Sequence, residues 1–244
     1  MESNPVKISG ILFDKDGTLL DYDKSWAPVN RRCALYAADG DMELGDHLLR
    51  TCGMDPETGE TVADSLFAAA APSEIAAGMI AAGSKHEAVE LTRHLDRFFL
   101  EGASTSVPVA NLQALFLKLK ERGLKLGIAS SDNEASIRSM AEYQHILPLL
   151  DYIAGYDSGH GVKPNPGMIE GFARECGIKA SEIAMVGDNT HDLHMARNAR
   201  AGLAIGVLTG TGTPASLSPF ADHVLGSIEE LGALLDSISA PEPV

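Results

Sequence analysis

Positive charge is scarce in this chain. Nineteen Lys and Arg stand against 34 Asp and Glu, for a formal net charge of -15. Nucleic acids and anionic membranes reward basic surface, so neither is expected as a partner. An anionic small molecule is still admissible, provided that cations and backbone N–H groups form a local island for it. Cysteine is scarce too. Cys33, Cys52 and Cys176 are odd in number and far apart, which excludes a disulfide framework or a zinc site and suggests thiols in a reducing compartment. No apolar run reaches the length of a membrane span. Met1 to Lys7 lacks a basic-then-apolar leader pattern, and the expected location is cytoplasmic. There is no internal repeat. The Gly-rich stretch Thr209 to Pro214 lacks the Gly-Lys-Ser/Thr ending of a P-loop, so it is read as a loop rather than a nucleotide cradle.

What is present is 244 residues, 45% of them apolar, enough for one domain with an insertion. Val6 to Phe13 reads as a first strand. From Asp21 to about Ser106 the texture is Ala-rich and helical. Helices are expected over Ser25–Ala38, Asp46–Thr51, Thr61–Ala70, Pro72–Ala82 and Ser84–Leu100. From Pro108 strands and helices alternate. Strands are expected at Leu124–Ala129, Tyr152–Gly155, Ile183–Gly187, Leu203–Val207 and His223–Leu225. The helices between and after them are Asn111–Arg122, Ser131–Gln144, Asn165–Cys176, Thr190–Ala199 and Ile228–Leu235. Ala240 to Val244 reads as a loose tail. Such alternation implies an α/β fold, a Rossmann-like doubly wound parallel sheet, with an inserted all-helical unit. The expected division is a core of residues 1–20 and 106–244, with 21–105 as the insertion.

The first strand ends in Asp14-Lys15-Asp16-Gly17-Thr18. Residues two apart on an extended chain share a face, so Asp14 and Asp16 point the same way. Two like charges there repel unless a cation or a shared proton lies between them. Three further polar clusters fall at strand ends or helix starts: Ser130-Ser131, Lys163-Pro164-Asn165-Pro166 and Gly187-Asp188-Asn189-Thr190-His191-Asp192. In a parallel sheet all of them meet at the carboxyl edge, where ligands bind. Several carboxylates suit a hard, oxygen-preferring cation such as Mg²⁺. Lys163 and Ser130 suit a phosphate. One carboxylate can act as nucleophile and its neighbour as proton carrier. By composition this is a phosphoryl-transfer site. His191 and His194, without a partner pattern, read as helix-surface residues. Arg31-Arg32 reads as a solvated helix face; the alternative is that one of them reaches a substrate carboxylate.

The ordered set Asp14-Lys15-Asp16-Gly17-Thr18, Ser130, Lys163-Pro164 and Gly187-Asp188-Asn189-x-x-Asp192 resembles the four motifs of the haloacid dehalogenase (HAD) superfamily. The insertion is similar to that superfamily's C1-type helical cap. Phe13 to Asp21 and Lys163 to Pro166 resemble its phosphoglycolate phosphatase-like members in particular. The resemblance implies an Asp14 nucleophile forming an aspartyl phosphate, with Asp16 as acid and base. It implies phosphate binding by Ser130, Lys163, Gly17 and Ser131, the last standing where many relatives carry Asn. Mg²⁺ would be held by Asp14, the Asp16 carbonyl and Asp188, with Asp192 and Asn189 in support. The expected activity is hydrolysis of a small phosphorylated metabolite, phosphoglycolate-like or a sugar phosphate, by a monomer or homodimer. The alternatives are a sugar phosphomutase of the same fold, or a non-catalytic module binding Mg²⁺ or phosphate. Asp16 speaks against the module, since a binder needs no acid or base.

Overall fold

The computed structural model describes residues 7–103 and 105–239. The expected start of the first strand at Val6, residues 1–6 of the Met1–Lys7 stretch and the Ala240–Val244 tail lie outside them. Six strands form one parallel sheet: β1 (Gly10–Phe13), β2 (Lys125–Ala129), β3 (Tyr152–Ala154), β4 (Ile183–Gly187), β5 (Leu203–Val207) and β6 (His223–Leu225), in the order β3-β2-β1-β4-β5-β6. Strand β1 pairs with β2 on one side, Phe13 opposite Ile128, and with β4 on the other, Phe13 opposite Val186. The strand order thus reverses at β1, and a crevice opens at that switch point beyond the carboxyl ends.

Alternation along β1 sends Ile11 and Phe13 to one face and Leu12 to the other. On the first face Phe13 stacks on Phe116, ring centroids 5.1 Å apart, from helix α6 (Leu112–Glu121). On the second, Leu12 and Met185 pack with Phe172 of α8 (Gly167–Cys176) and Leu193 of α9 (Thr190–Ala199). Both faces are covered, as an all-parallel sheet requires. Helices α7 (Glu134–Tyr143), α10 (Pro214–Leu217) and α11 (Leu231–Ser239) complete this part.

Between β1 and α6 the chain is helical: α1 (Tyr22–Ala37), α2 (Met42–Thr51), α3 (Leu66–Ala69), α4 (Pro72–Ala81) and α5 (Ala88–Ala103). Their apolar stripes, including Trp26, Cys33, Leu48, Ile75, Met79, Leu91 and Leu95, bury against one another. They are continuous with the core on the Ile11 and Phe13 face. No helix among the described residues is long and apolar enough to cross a membrane. The three cysteines are free thiols; Cys33 and Cys52 are buried and Cys176 is half-buried.

Several boundaries differ from expectation for local reasons. Helix α2 starts at Met42 rather than Asp46 because the Asp41 carboxylate accepts from the Glu43 and Leu44 N–H groups, at 2.9 and 3.1 Å. The expected Thr61–Ala70 helix shrinks to α3. Thr61 is bridged to Met54, Asp64 takes a left-handed φ of 58°, and the helix is capped only at Ser65. Helix α8 starts two residues late because Asn165 precedes Pro166, whose ring disfavours helical backbone before it.

Candidate active site

A cavity of about 60 Å³ lies between the carboxyl edge of the sheet and the helical insertion. Asp14, Asp16, Ser130, Ser131, Lys163, Asp188, Asn189 and Asp192 all border it. The sheet end is dense in charge. The Lys163 ammonium donates to Asp14 Oδ1 and to Asp192 Oδ1, both at 2.5 Å. Burial lowers the affinity of that amine for its proton, but the two carboxylates more than offset this and hold it charged. Carboxylate oxygens of Asp14, Asp188 and Asp192, all buried, lie within 4.8 Å of one another. Burial first, then the charges of Asp14 and Asp192, push Asp188 well above the usual carboxylate range. Burial likewise raises Asp192, against the pull of Lys163.

The donor set fits a divalent cation. Three close carboxylates face one ammonium, and all are hard oxygen ligands. Among the described residues, Asp188 accepts from the N–H of Thr211 at 2.8 Å and from its hydroxyl at 3.3 Å. Gly17, at a φ of 82°, and Gly210 press against the Asp188 carboxylate so closely that a Cβ on either would overlap it. Gly17 therefore serves the turn. Expected among the phosphate-binding residues, Gly17 donates its N–H to the Leu20 carbonyl at 2.8 Å.

Asp16 is held from two sides. Its Oδ2 lies 3.0 Å from the Lys15 ammonium, and its Oδ1 accepts from the indole N–H of Trp26. Lys15 is fully buried, reaches Asp132 Oδ2 at 2.8 Å and lies 4.5 Å from the centre of the Trp26 ring. Burial raises Asp16 to about 6, with Lys15 opposing and Asp132 and Asp14 adding to the rise. Sequence reasoning missed Lys15, Asp132 and Trp26. A signal existed for Lys15: between two acids that share a face, the middle side chain must turn the other way, into the protein.

The other expected residues separate cleanly. Ser130 borders the cavity, and its oxygen accepts from the Asp132 N–H at 3.1 Å. Ser131 donates to the Ala69 carbonyl at 3.0 Å, tying the sheet edge to the insertion. Asn189 caps α9 by accepting from the His191 N–H at 3.0 Å, while Asp192 accepts from the Asn189 N–H at 3.2 Å. The Asn189 side-chain N–H₂ is buried without a partner among the described residues. His191, expected on the helix surface, lines the cavity, and burial lowers its pKa. His194 packs on Phe220, ring centroids 4.3 Å apart. Arg31 and Arg32 lie away from the cavity. Arg31 donates to the Pro56 carbonyl, and Arg32 pairs with Glu101 at 2.6 Å over the Phe98 ring. Neither residue borders the cavity, and each guanidinium has a partner within the insertion.

Comparison with known proteins places these observations. The family model of the haloacid dehalogenase-like hydrolases matches residues 8–200. The chain is similar to phosphoglycolate phosphatase of Vibrio parahaemolyticus, 26% identical over 241 residues, 96% of this chain and 99% of that one. It is 36% identical over 108 residues to Probable phosphatase IndB of Dickeya dadantii, 44% of this chain and 46% of the relative. With pyrophosphatase PpaX of Halalkalibacterium halodurans it shares 33% identity over 81 residues. The chain thus spans less than half the length of these last two relatives. A hydrolase from Pseudomonas syringae superposes with a TM-score of 0.71 at 20% identity, covering 96% of this chain and all of the other. That likeness is one of fold.

Proposed function

We propose that this chain, which belongs to the haloacid dehalogenase-like hydrolase family, is a Mg²⁺-dependent phosphatase of a small phosphorylated metabolite, working through a phosphorylated Asp14. The observation that carries this reading is the pair of carboxylates with separate environments in one cavity. Asp14 is ion-paired to buried Lys163, whereas Asp16 is pushed by burial to about 6. A charged carboxylate is a competent nucleophile, and a neighbour with a raised pKa is a competent acid.

In the first half-reaction an Asp14 oxygen bonds to phosphorus. The bond from phosphorus to the ester oxygen breaks, and Asp16 gives its proton to the departing oxygen. In the second half, Asp16 as carboxylate takes a proton from water. The water oxygen attacks phosphorus, and Asp14 leaves as inorganic phosphate forms. Lys163 and the Ser130 hydroxyl hold phosphoryl oxygens throughout. Asp14, Asp188 and the Asp16 carbonyl would hold the Mg²⁺, with Asp192 orienting Lys163. When bound, the ion offsets negative charge on the transferring group. The insertion, as a cap over residues 21–105, would exclude bulk water and choose the alcohol. Its ties to the sheet side are consistent with that role: Ser131 to the Ala69 carbonyl, Thr190 to Asp64 at 2.8 Å, and Asn133 and Tyr156 to Asp96 at 3.0–3.1 Å.

The test is phosphate release from a generic phosphomonoester with and without Mg²⁺. Asp14→Asn is expected to lose activity on the order of 10³-fold or more, as removal of a nucleophile does. Chelation should abolish the wild-type rate until Mg²⁺ is restored. An Asp14→Asn protein working at near the wild-type rate would refute the reading.

A further inference from the structure

The two walls of the cavity differ in their spare hydrogen-bond donors, and this bears on the alcohol half of the substrate. The wall facing the sheet edge is made by Tyr22, Trp26, Phe67, Pro72, Ile75 and Phe99, together with residues 68–70. None of these side chains is cationic. Each polar one is already committed: the Tyr22 hydroxyl donates to the Phe67 carbonyl at 2.6 Å, and the Trp26 indole N–H donates to Asp16.

The backbone of this wall is committed as well. The N–H of Phe67 donates to the Cys52 carbonyl, and those of Ala69 and Ala70 to the Ser65 and Leu66 carbonyls, each at 3.0 Å. The Ala68 N–H donates to Ser65 Oγ at 3.4 Å, and the Ala71 N–H to the Glu74 carboxylate at 2.9 Å. Pro72 has no N–H to offer. Helix α4 begins here, yet Glu74 supplies the anion that its N-terminus favours. The cavity's uncommitted polar groups among the described residues lie on the side of the sheet edge and α9: the Ser130 hydroxyl, the Asn189 amide, the His191 ring, whose Nδ1 is buried without a partner, and the third proton of Lys163.

We infer that the alcohol half of the substrate is uncharged and presents an apolar or aromatic group to the insertion. This rests on the phosphatase reading above and narrows it. A carboxylate or second phosphate pressed on that wall would be buried against rings and spent N–H groups, with none of the wall's own described groups a cation or free donor to replace its water. Phosphoglycolate carries such a carboxylate, so it is a poor substrate. An aromatic ring would instead meet Trp26 and Phe99, themselves packed edge to face at 5.7 Å.

The experiment compares p-tolyl phosphate with p-carboxyphenyl phosphate, two esters of similar shape that differ in charge at the far end. The wild-type kcat/KM should favour the tolyl ester by at least about tenfold, the factor that corresponds to about 1.4 kcal/mol. Ala68→Arg, at a half-buried position on the wall, should shrink or reverse that ratio. Asp14→Asn is assayed beside both. If the carboxylated ester is hydrolysed as well or better through Asp14, the inference falls and the phosphatase reading stands. If neither ester is hydrolysed, or Asp14→Asn hydrolyses both, the phosphatase reading falls and takes the inference with it. The wild-type ratio alone decides the matter even where Ala68→Arg does not fold.

Discussion

At the sheet end of the cavity, Asp14, Lys163, Asp188 and Asp192 are buried and tied to one another over 2.5–4.8 Å. At the insertion end, Trp26, Phe67, Ile75 and Phe99 are just as buried but offer rings and methyl groups. The first end is a preorganised charge arrangement, costly to assemble and therefore suited to one reaction. Phe67, Ile75 and Phe99 could be exchanged for other apolar residues of similar volume without touching the chemistry, whereas Trp26 also holds Asp16 through its indole N–H. On the proposed reading, the sheet end carries the reaction and the insertion chooses the substrate, with Trp26 touching both.

The sharpest way to break this contrast is to move charge at the sheet end. Lys163→Met removes the ammonium shared by Asp14 and Asp192. Phosphate release should fall by roughly 10²–10³-fold, the usual cost of losing one transition-state donor. Steady-state kinetics would contradict the account if kcat stayed within a few-fold of wild type. A smaller effect concerns Asp16. Burial raises its pKa from 3.8 to about 6, against Lys15. A carboxyl whose pKa is higher in the fold binds its proton more tightly there. Its stabilising contribution is therefore present below 3.8 and lost as pH rises through about 6. In cation-free protein, the melting temperature of wild type should fall relative to Asp16→Asn across that window. A flat or rising difference would show that Lys15 and Trp26 outweigh burial. The smallest effect is expected for Arg31→Ala and Arg32→Ala. Both side chains are outside the cavity, so kcat/KM should stay within about twofold and stability within about 0.5 kcal/mol. A selective loss on carboxylated esters would return those arginines to the site.

The same contrast explains what could be read from the chain alone. Asp14, Asp16, Ser130, Lys163, Asp188 and Asp192 each follow an apolar strand or open a helix. A parallel sheet then brings such ends together whatever the details of packing. The strands Ile183–Gly187 and Leu203–Val207 and the helix Thr190–Ala199 have the limits expected from their patterns. The insertion was less legible. Phe67, Ile75 and Phe99 have the spacing of core residues, and nothing local distinguishes a side chain that lines a cavity from one that fills it. Asp132 and Trp26 were hidden for another reason. Their roles depend on where Lys15 goes once it turns inward, a contact across 117 residues in the case of Asp132. The committed arginines likewise depend on distant partners, Pro56 and Glu101.

The central claim is that Asp14 itself takes the phosphoryl group while Asp16 moves the protons. It can be tested by mixing Asp16→Asn protein with Mg²⁺ and p-nitrophenyl phosphate, whose phenolate leaves without needing a proton, and quenching in acid. Phosphorylation should proceed while attack by water, which needs Asp16 as base, is stalled. Mass spectrometry should then find one phosphoryl group on the peptide that carries Asp14. Nitrophenolate release of one equivalent or more with that peptide unmodified, or with the phosphoryl group on another residue, would contradict the account.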